Sequence, residues 1–301
     1  MISELELLAG PFHDIAEGPV WDGHFLTFTL IRQSRIMRYD PISRTCSEWA
    51  SETRRTNGLA HDSQGRLYGC SAETRALLRF DGGNSTILFD RFEGLPLNTP
   101  NDLAIDRAGR IWFTNPWNPP LAPDGGAPEI AQDVFRADRH PDGRWNLVRC
   151  SFDMTKPNGI ALSPDERILY VAQSDFDEGR LRELRAYPVL ETGLGAYATL
   201  YTFGIDHRGV QRGIDGMCID ALGNIVATAG WPDRGPGPLL YLFAPSGRIL
   251  ATREVPTVEG PTNCAFGGPD MRTLFVTTIE GSVLAARMEV PGLPIGPLRS
   301  D

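Results

Sequence analysis

Six short phrases in the chain open on an oxygen-bearing side chain and run at once into apolar residues. They are Glu17 in EGPVWDGHFLTFT, Asn57 in NGLAHDSQGRLYGC, Asn101 in NDLAIDRAGRIWFT, Asn158 in NGIALSPDERILYVA, Asp215 in DGMCIDALGNIVAT and Thr262 in TNCAFGGPDMRTLFVT. Two of these lead residues are carboxylates, three are amides and one is a hydroxyl. Brought to one point, such groups offer the hard oxygen donors that a divalent cation takes, and a cation held by few protein ligands keeps positions for water and substrate. Asn and Asp also open strands simply as turn residues. For any one position that plain role suffices; the recurrence of the type at the same place in every phrase favours the chemical reading.

Each phrase is two apolar runs around a tight turn built on Asp, Gly or Pro, and the lead residues recur every 40 to 57 positions. Further strand-like segments, SRIMRYDP, ALLRFDG, LRAYPV and LLYLFAPSGRIL, lie between them, and no stretch has sustained helical periodicity. Repeats of this length made of short strands predict propeller blades. A β-sandwich has no reason to repeat one phrase, and the turn of a β-helix is much shorter. The expected fold is all-β, a six-bladed propeller with four antiparallel strands per blade, forming one domain over residues 1–301. An open last blade would leave sheet edges exposed. Residues 3–9 precede the first phrase and have no blade of their own, so they are expected to pair with residues 282–290 and close the ring. Residues at one phase of the repeat then arrive at similar height around a central channel.

Bulk properties exclude several classes. The 301 residues are 41% hydrophobic and 22% charged, as in an ordinary globular chain. A net charge of -9 without a dense basic run argues against nucleic acid as a partner. The start MISELELLAG is acidic where a secretory signal is basic, and no apolar run approaches the ~20 residues of a membrane span, so the expected location is cytoplasmic with no membrane partner. Five cysteines without CxxC spacing, Cys46, Cys70, Cys150, Cys218 and Cys264, read as packed free thiols.

The chain resembles the senescence marker protein/gluconolactonase family of propeller lactonases, which includes regucalcin, bacterial gluconolactonases and xylonolactonases. The resemblance is carried by EGPVW (17–21), PNDLAIDRAGRIWFTNP (100–116), KPNGIALSPDERILYV (156–171), DGMCIDALGNI (215–225) and PTNCAFGG (261–268). It implies one divalent cation (Ca, Zn, Mg, Mn or Fe(II)) held by Glu17, Asn158 and Asp215, with Asn101 close by as a contact to substrate or to a ligating water. Asp215 would then be both ligand and general base. Animal regucalcins have an Arg where this chain has Thr99, and many bacterial relatives read FTDP where it has FTNP with Asn115. These changes bear on substrate choice and leave the implied ligands in place.

The implied chemistry is hydrolysis of a small-molecule lactone to its hydroxy acid, with the cation polarising the carbonyl and activating water, Asp215 taking a proton and Asn101 donating to the oxyanion. No GxSxG elbow or His-rich metal motif competes with this reading. Specificity is expected from loops 115–133, 203–213 and 230–238, with Trp117 and Arg212 as substrate-binding candidates beside Asn101 and Thr99. Two alternatives stay open: a phosphotriesterase or arylesterase on the same architecture, and a non-catalytic propeller whose cation is structural.

Overall fold

The computed structural model describes residues 2–122, 126–177 and 179–293. Six antiparallel sheets follow one another along the chain, each begun by one of the repeated phrases. The first contains Ala16–Trp21, Leu26–Leu30, Arg35–Asp40 and Thr45–Ala50, paired in that order. The next four begin with Thr56–His61, Leu103–Ile105, Pro157–Leu162 and Ile214–Ile219, and the sixth with Pro261–Gly267. Each first strand packs against the first strands of the neighbouring sheets, and the sixth returns to the first, so the sheets form a six-bladed propeller.

The burial pattern follows from this arrangement. First and second strands are almost wholly buried, whereas outermost strands such as Thr45–Ala50 and Ile249–Glu254 alternate toward solvent. Facing blades interdigitate through Trp112, Phe28, Phe113, Phe135 and Phe243, all fully buried. Removing each such ring from water contributes about 1.5–3 kcal/mol. Gly267 lets Trp21 stack on Phe275 across the seam between the last and first blades, with ring centroids 5.8 Å apart; a Cβ at Gly267 would sit 2.8 Å from the indole.

The ring closes as the sequence predicts. Glu6–Ala9 pairs antiparallel with Val283–Arg287, in register Glu6 to Ala285, and Ile2 bridges Met288. The third strands foreseen in the sequence are present, and no helix among the described residues is long and apolar enough to cross a membrane. All five cysteines are free; Cys70, Cys150 and Cys264 are buried, while Cys46 and Cys218 are half-buried. The segment 203–213, one of the loops expected to set specificity, carries a small ribbon of Ile205–Asp206 and Gly209–Val210.

Candidate active site

In five of the six innermost strands the register slips at the start of the phrase: between Glu17 and Val20, Thr56 and Leu59, Pro157 and Ile160, Ile214 and Met217, and Pro261 and Cys264. A bulge re-aims the side chains at its position. Hydroxyls on neighbouring strands serve the backbone groups that the bulges release. Thr29 Oγ1 donates to Asn57 O at 3.1 Å, and Thr228 Oγ1 accepts from Gly216 N at 3.1 Å while donating to Thr262 O at 2.6 Å. Thr114 Oγ1 accepts from Asp102 N at 3.1 Å. Close approach of adjacent innermost strands explains the glycines after the lead residues. A Cβ at Gly159 would lie 2.6 Å from Asp215 O, and one at Gly216 would lie 2.0 Å from the Asn263 amide.

The groups so aimed meet in the channel. Asn158 Nδ2 donates to Asp215 Oδ1 at 2.7 Å, joining the fourth and fifth blades. Asn263 Nδ2 donates to Glu17 Oε2 at 3.0 Å and to Asp102 Oδ2 at 3.2 Å. Asn263 is in the sixth blade and Asp102 in the third, so this last bond spans the axis of the ring. Gly18 N also donates to Glu17 Oε2, at 2.6 Å. Arg212 donates Nη2 to Asp215 Oδ2 and Nη1 to Pro261 O, the latter at 3.1 Å.

Three buried carboxylates thus share one small volume. Burial holds Glu17 well above the usual carboxylate range, and the charges of Asp215 and Asp102 push the same way. Asp102 is pushed up to about 7, chiefly by burial, against hydrogen bonds from Leu103 N and Asn263. Asp215 is raised by burial as well, opposed by Arg212, Asn158 and Lys156. Burial also lowers the Lys156 ammonium, which sits 3.9 Å over the Phe176 ring.

The residues singled out in the sequence fall into two groups. Glu17, Asn158 and Asp215 converge on the channel. Asn101 stands at its edge, half-buried, with its backbone tied to Thr114 O and Gly58 N while its amide makes no hydrogen bond among the described residues. Arg212 lies on Asp215. Thr99 is buried in the loop beside Asn101, its hydroxyl donating to Pro116 O and accepting from Asn118 N, both at 2.8 Å. Trp117 is 8% exposed, and the Arg75 guanidinium covers its ring at 5.3 Å. Residues 123–125 of the 115–133 loop lie outside the described residues. Thr262, the sixth lead residue, spends its hydroxyl on Ala16 O and Thr277, and its successor Asn263 reaches the channel instead. Sequence reasoning missed Asp102 and Asn263. Their signal was the position after the lead residue, which is Gly in the other four phrases.

The donor set suits a hard divalent cation. Two carboxylates and an amide are the oxygen chemistry such an ion takes, and the buried Asn57 Oδ1 on the same ring has no hydrogen-bond partner. Excess negative charge among Glu17, Asp102 and Asp215 asks for a counter-charge that Arg212 supplies on one side only. No group of three His, Cys, Asp or Glu among the described residues forms a ready cage, so a cation held here would draw on amide oxygen as well as carboxylates. Asn158 turns its nitrogen to Asp215 and would present its oxygen after rotation of the amide, a choice that depends on the hydrogen-bond partners present. Toward the other end the channel widens into a cavity of about 460 Å³ walled by Val20, Leu59, Ile160, Met217 and Phe266. Asp102 and Asn263 border it from the carboxylate side. His61, Asp106, Arg107 and Glu166 also line it, and Glu17, Asn158 and Asp215 lie outside it.

A propeller whose channel gathers acidic and amide side chains from several blades defines the class of protein. The model of the family described as SMP-30/Gluconolactonase/LRE-like region matches residues 15–280, and the chain belongs to that family. A gluconolactonase from Zymomonas mobilis is 29% identical over 299 residues, covering 89% of this chain and 77% of that one. A pentonolactonase from Haloferax volcanii is also 29% identical, covering 89% and 82%. Among solved structures, a gluconolactonase from Xanthomonas campestris superposes with a TM-score of 0.77 at 30% identity, over 96% of this chain and 90% of that one.

Proposed function

We propose that the chain hydrolyses a sugar lactone to its aldonic acid at the end of the channel where Glu17, Asn101, Asn158 and Asp215 meet. The observation that carries this reading is the Asn158–Asp215 pair standing beside the buried Glu17 in a member of this family. Relatives named gluconolactonase and pentonolactonase support the substrate class. A divalent cation held by Glu17, Asn158 and Asp215 would supply Lewis acidity toward the carbonyl oxygen and lower the pKa of water.

The chain's own groups account for the remainder. Asp215 accepts a proton from the attacking water as the water oxygen bonds to the carbonyl carbon. The free amide of Asn101 donates to the carbonyl oxygen as it gains negative charge. The bond from carbonyl carbon to ring oxygen then breaks, and that oxygen takes the proton from Asp215, leaving a carboxylic acid and a hydroxyl group. Thr99, tied to Pro116 O and Asn118 N, holds the segment that bears Asn101, and Arg212 stands between Asp215 and the Trp231 ring. Burial of Glu17 and Asp215 keeps competing water away and strengthens each electrostatic contact. The net charge of -9 fits a small-molecule substrate better than a polyanion.

The test is turnover of five- and six-membered aldonolactones, aryl esters and phosphotriesters by chelator-treated protein reloaded in turn with Ca, Zn, Mg, Mn and Fe(II). Lactone opening that depends on the added ion is the expected result. Hydrolysis confined to phosphotriesters or aryl esters would overturn the substrate class, and full activity after chelation would overturn the role of the ion.

A further inference from the structure

We infer that Arg212 is a built-in counter-cation that competes with the divalent ion for Asp215, so that loading the site requires the guanidinium to leave the carboxylate. This rests on the cation site of the preceding section. The pair is largely out of water, with the Arg212 and Asp215 side chains 14% and 5% exposed. Both carboxylate oxygens are filled, Oδ2 by Arg212 and Oδ1 by Asn158. The two donors differ in kind. An amide can rotate and offer its oxygen to an ion, whereas a guanidinium has only donors and keeps its charge. A divalent ion on Asp215 would therefore meet a fixed positive charge in the same place.

The surroundings provide somewhere for that charge to go. The Arg212 guanidinium carbon already lies 5.4 Å from the centre of the Trp231 ring, and Nη1 is bonded to Pro261 O. Sliding onto the indole face would keep a cation–π contact and the carbonyl bond. Lys156 reinforces the competition from the same side, seated on Phe176, whose ring packs edge-on against Trp231 at 5.0 Å. Glu17 differs, since its contacts are neutral donors, Gly18 N and Asn263 Nδ2. The ion thus enters against a resident cation at Asp215 and against none at Glu17. Its apparent affinity is reduced by the fraction of molecules in which Arg212 occupies the carboxylate.

The experiment is calorimetric titration of Ca²⁺ and, separately, Mn²⁺ into the metal-free full chain without substrate, comparing wild type with Arg212→Met and Arg212→Gln. Either variant should bind the ion about tenfold more tightly or better, as expected when a competing state is removed. The thermal midpoint of Arg212→Met, lowered by the unpaired carboxylate when metal-free, should approach that of wild type at saturating ion. Adding Glu17→Gln should weaken binding in both backgrounds, tying the ion to this site. Equal or weaker binding by both variants would overturn the competition. Binding to none of the proteins would overturn it together with the cation reading. Tighter binding by the variants in a protein that opens no lactone would support the competition while striking the hydrolase reading alone.

Discussion

At the scale of single residues the central question is what Asp215 does. A turn residue at this position would be replaceable by Asn, which already occupies three of the other lead positions. In the structure Asp215 is buried, engaged through both oxygens and within electrostatic reach of Glu17 and Asp102. Asp215→Asn keeps an oxygen in place and removes the charge and the proton acceptor. Lactone kcat should fall by about 10²- to 10⁴-fold, the usual worth of a general base, with ion occupancy verified in the same sample. Wild-type turnover would remove Asp215 from the proton transfer. The convergence of Glu17, Asn158 and Asp215 on the channel was legible because each opens a repeated phrase. The bond from Asn263 to Asp102 was not, because it joins residues far apart in sequence through the middle of the ring and leaves no local pattern. Arg212 was legible as a loop cation, but nothing in VQRGID tells whether it faces solvent, substrate or Asp215.

At the scale of the strand, the bulge at the head of five of the six innermost strands is what turns a repeat into a site. The fold itself was readable from alternating apolar runs and tight turns, since those are set by local sequence. The bulge depends on hydroxyls from neighbouring strands and on the absence of a Cβ at the close approach, so its effect on side-chain aim appears only in three dimensions. Gly216 tests this. An alanine there would place its Cβ 2.0 Å from the Asn263 amide, and Asn263 would have to release Glu17 and Asp102. Overpacking together with two carboxylates losing a donor should destabilise Gly216→Ala by about 2–4 kcal/mol in urea unfolding. Gly204→Ala is the control: no atom lies within 4 Å of its added Cβ and its φ is unremarkable. It should stay within about 0.5 kcal/mol of wild type. Equal effects of the two changes would show that the close approach is not what holds Asn263.

At the scale of the molecule, a ring of blades has one seam that the continuous chain does not cross from one blade to the next, and here the start of the chain fastens it. Glu6–Ala9 pairs with Val283–Arg287, Ser3 N donates to Arg287 O at 3.0 Å, and Arg253 of the fifth blade donates to Ile2 O at 2.8 Å. Ile2 is 3% exposed within a core that also contains Trp21, Phe28, Val226 and Phe275, from the fifth, sixth and first blades. Deleting residues 1–10 removes this burial, worth about 1.5–3 kcal/mol for Ile2 alone, and bares the edge of the sixth sheet. Because the strap completes the sixth sheet, ties it to the fifth blade and shares a core with the first, its loss should lower the urea midpoint of the whole transition by more than a frayed end would, without adding a second step. The effect should also reach the channel. Asn263 and Glu17 stand on opposite sides of the seam, held together by Asn263 Nδ2. Loosening the seam should therefore weaken cation binding as well as stability, a pairing that deletion of an unattached terminus would not produce. Stability reduced by less than about 1 kcal/mol with unchanged ion affinity would show that the Trp21–Phe275 stack and the innermost strands close the ring by themselves.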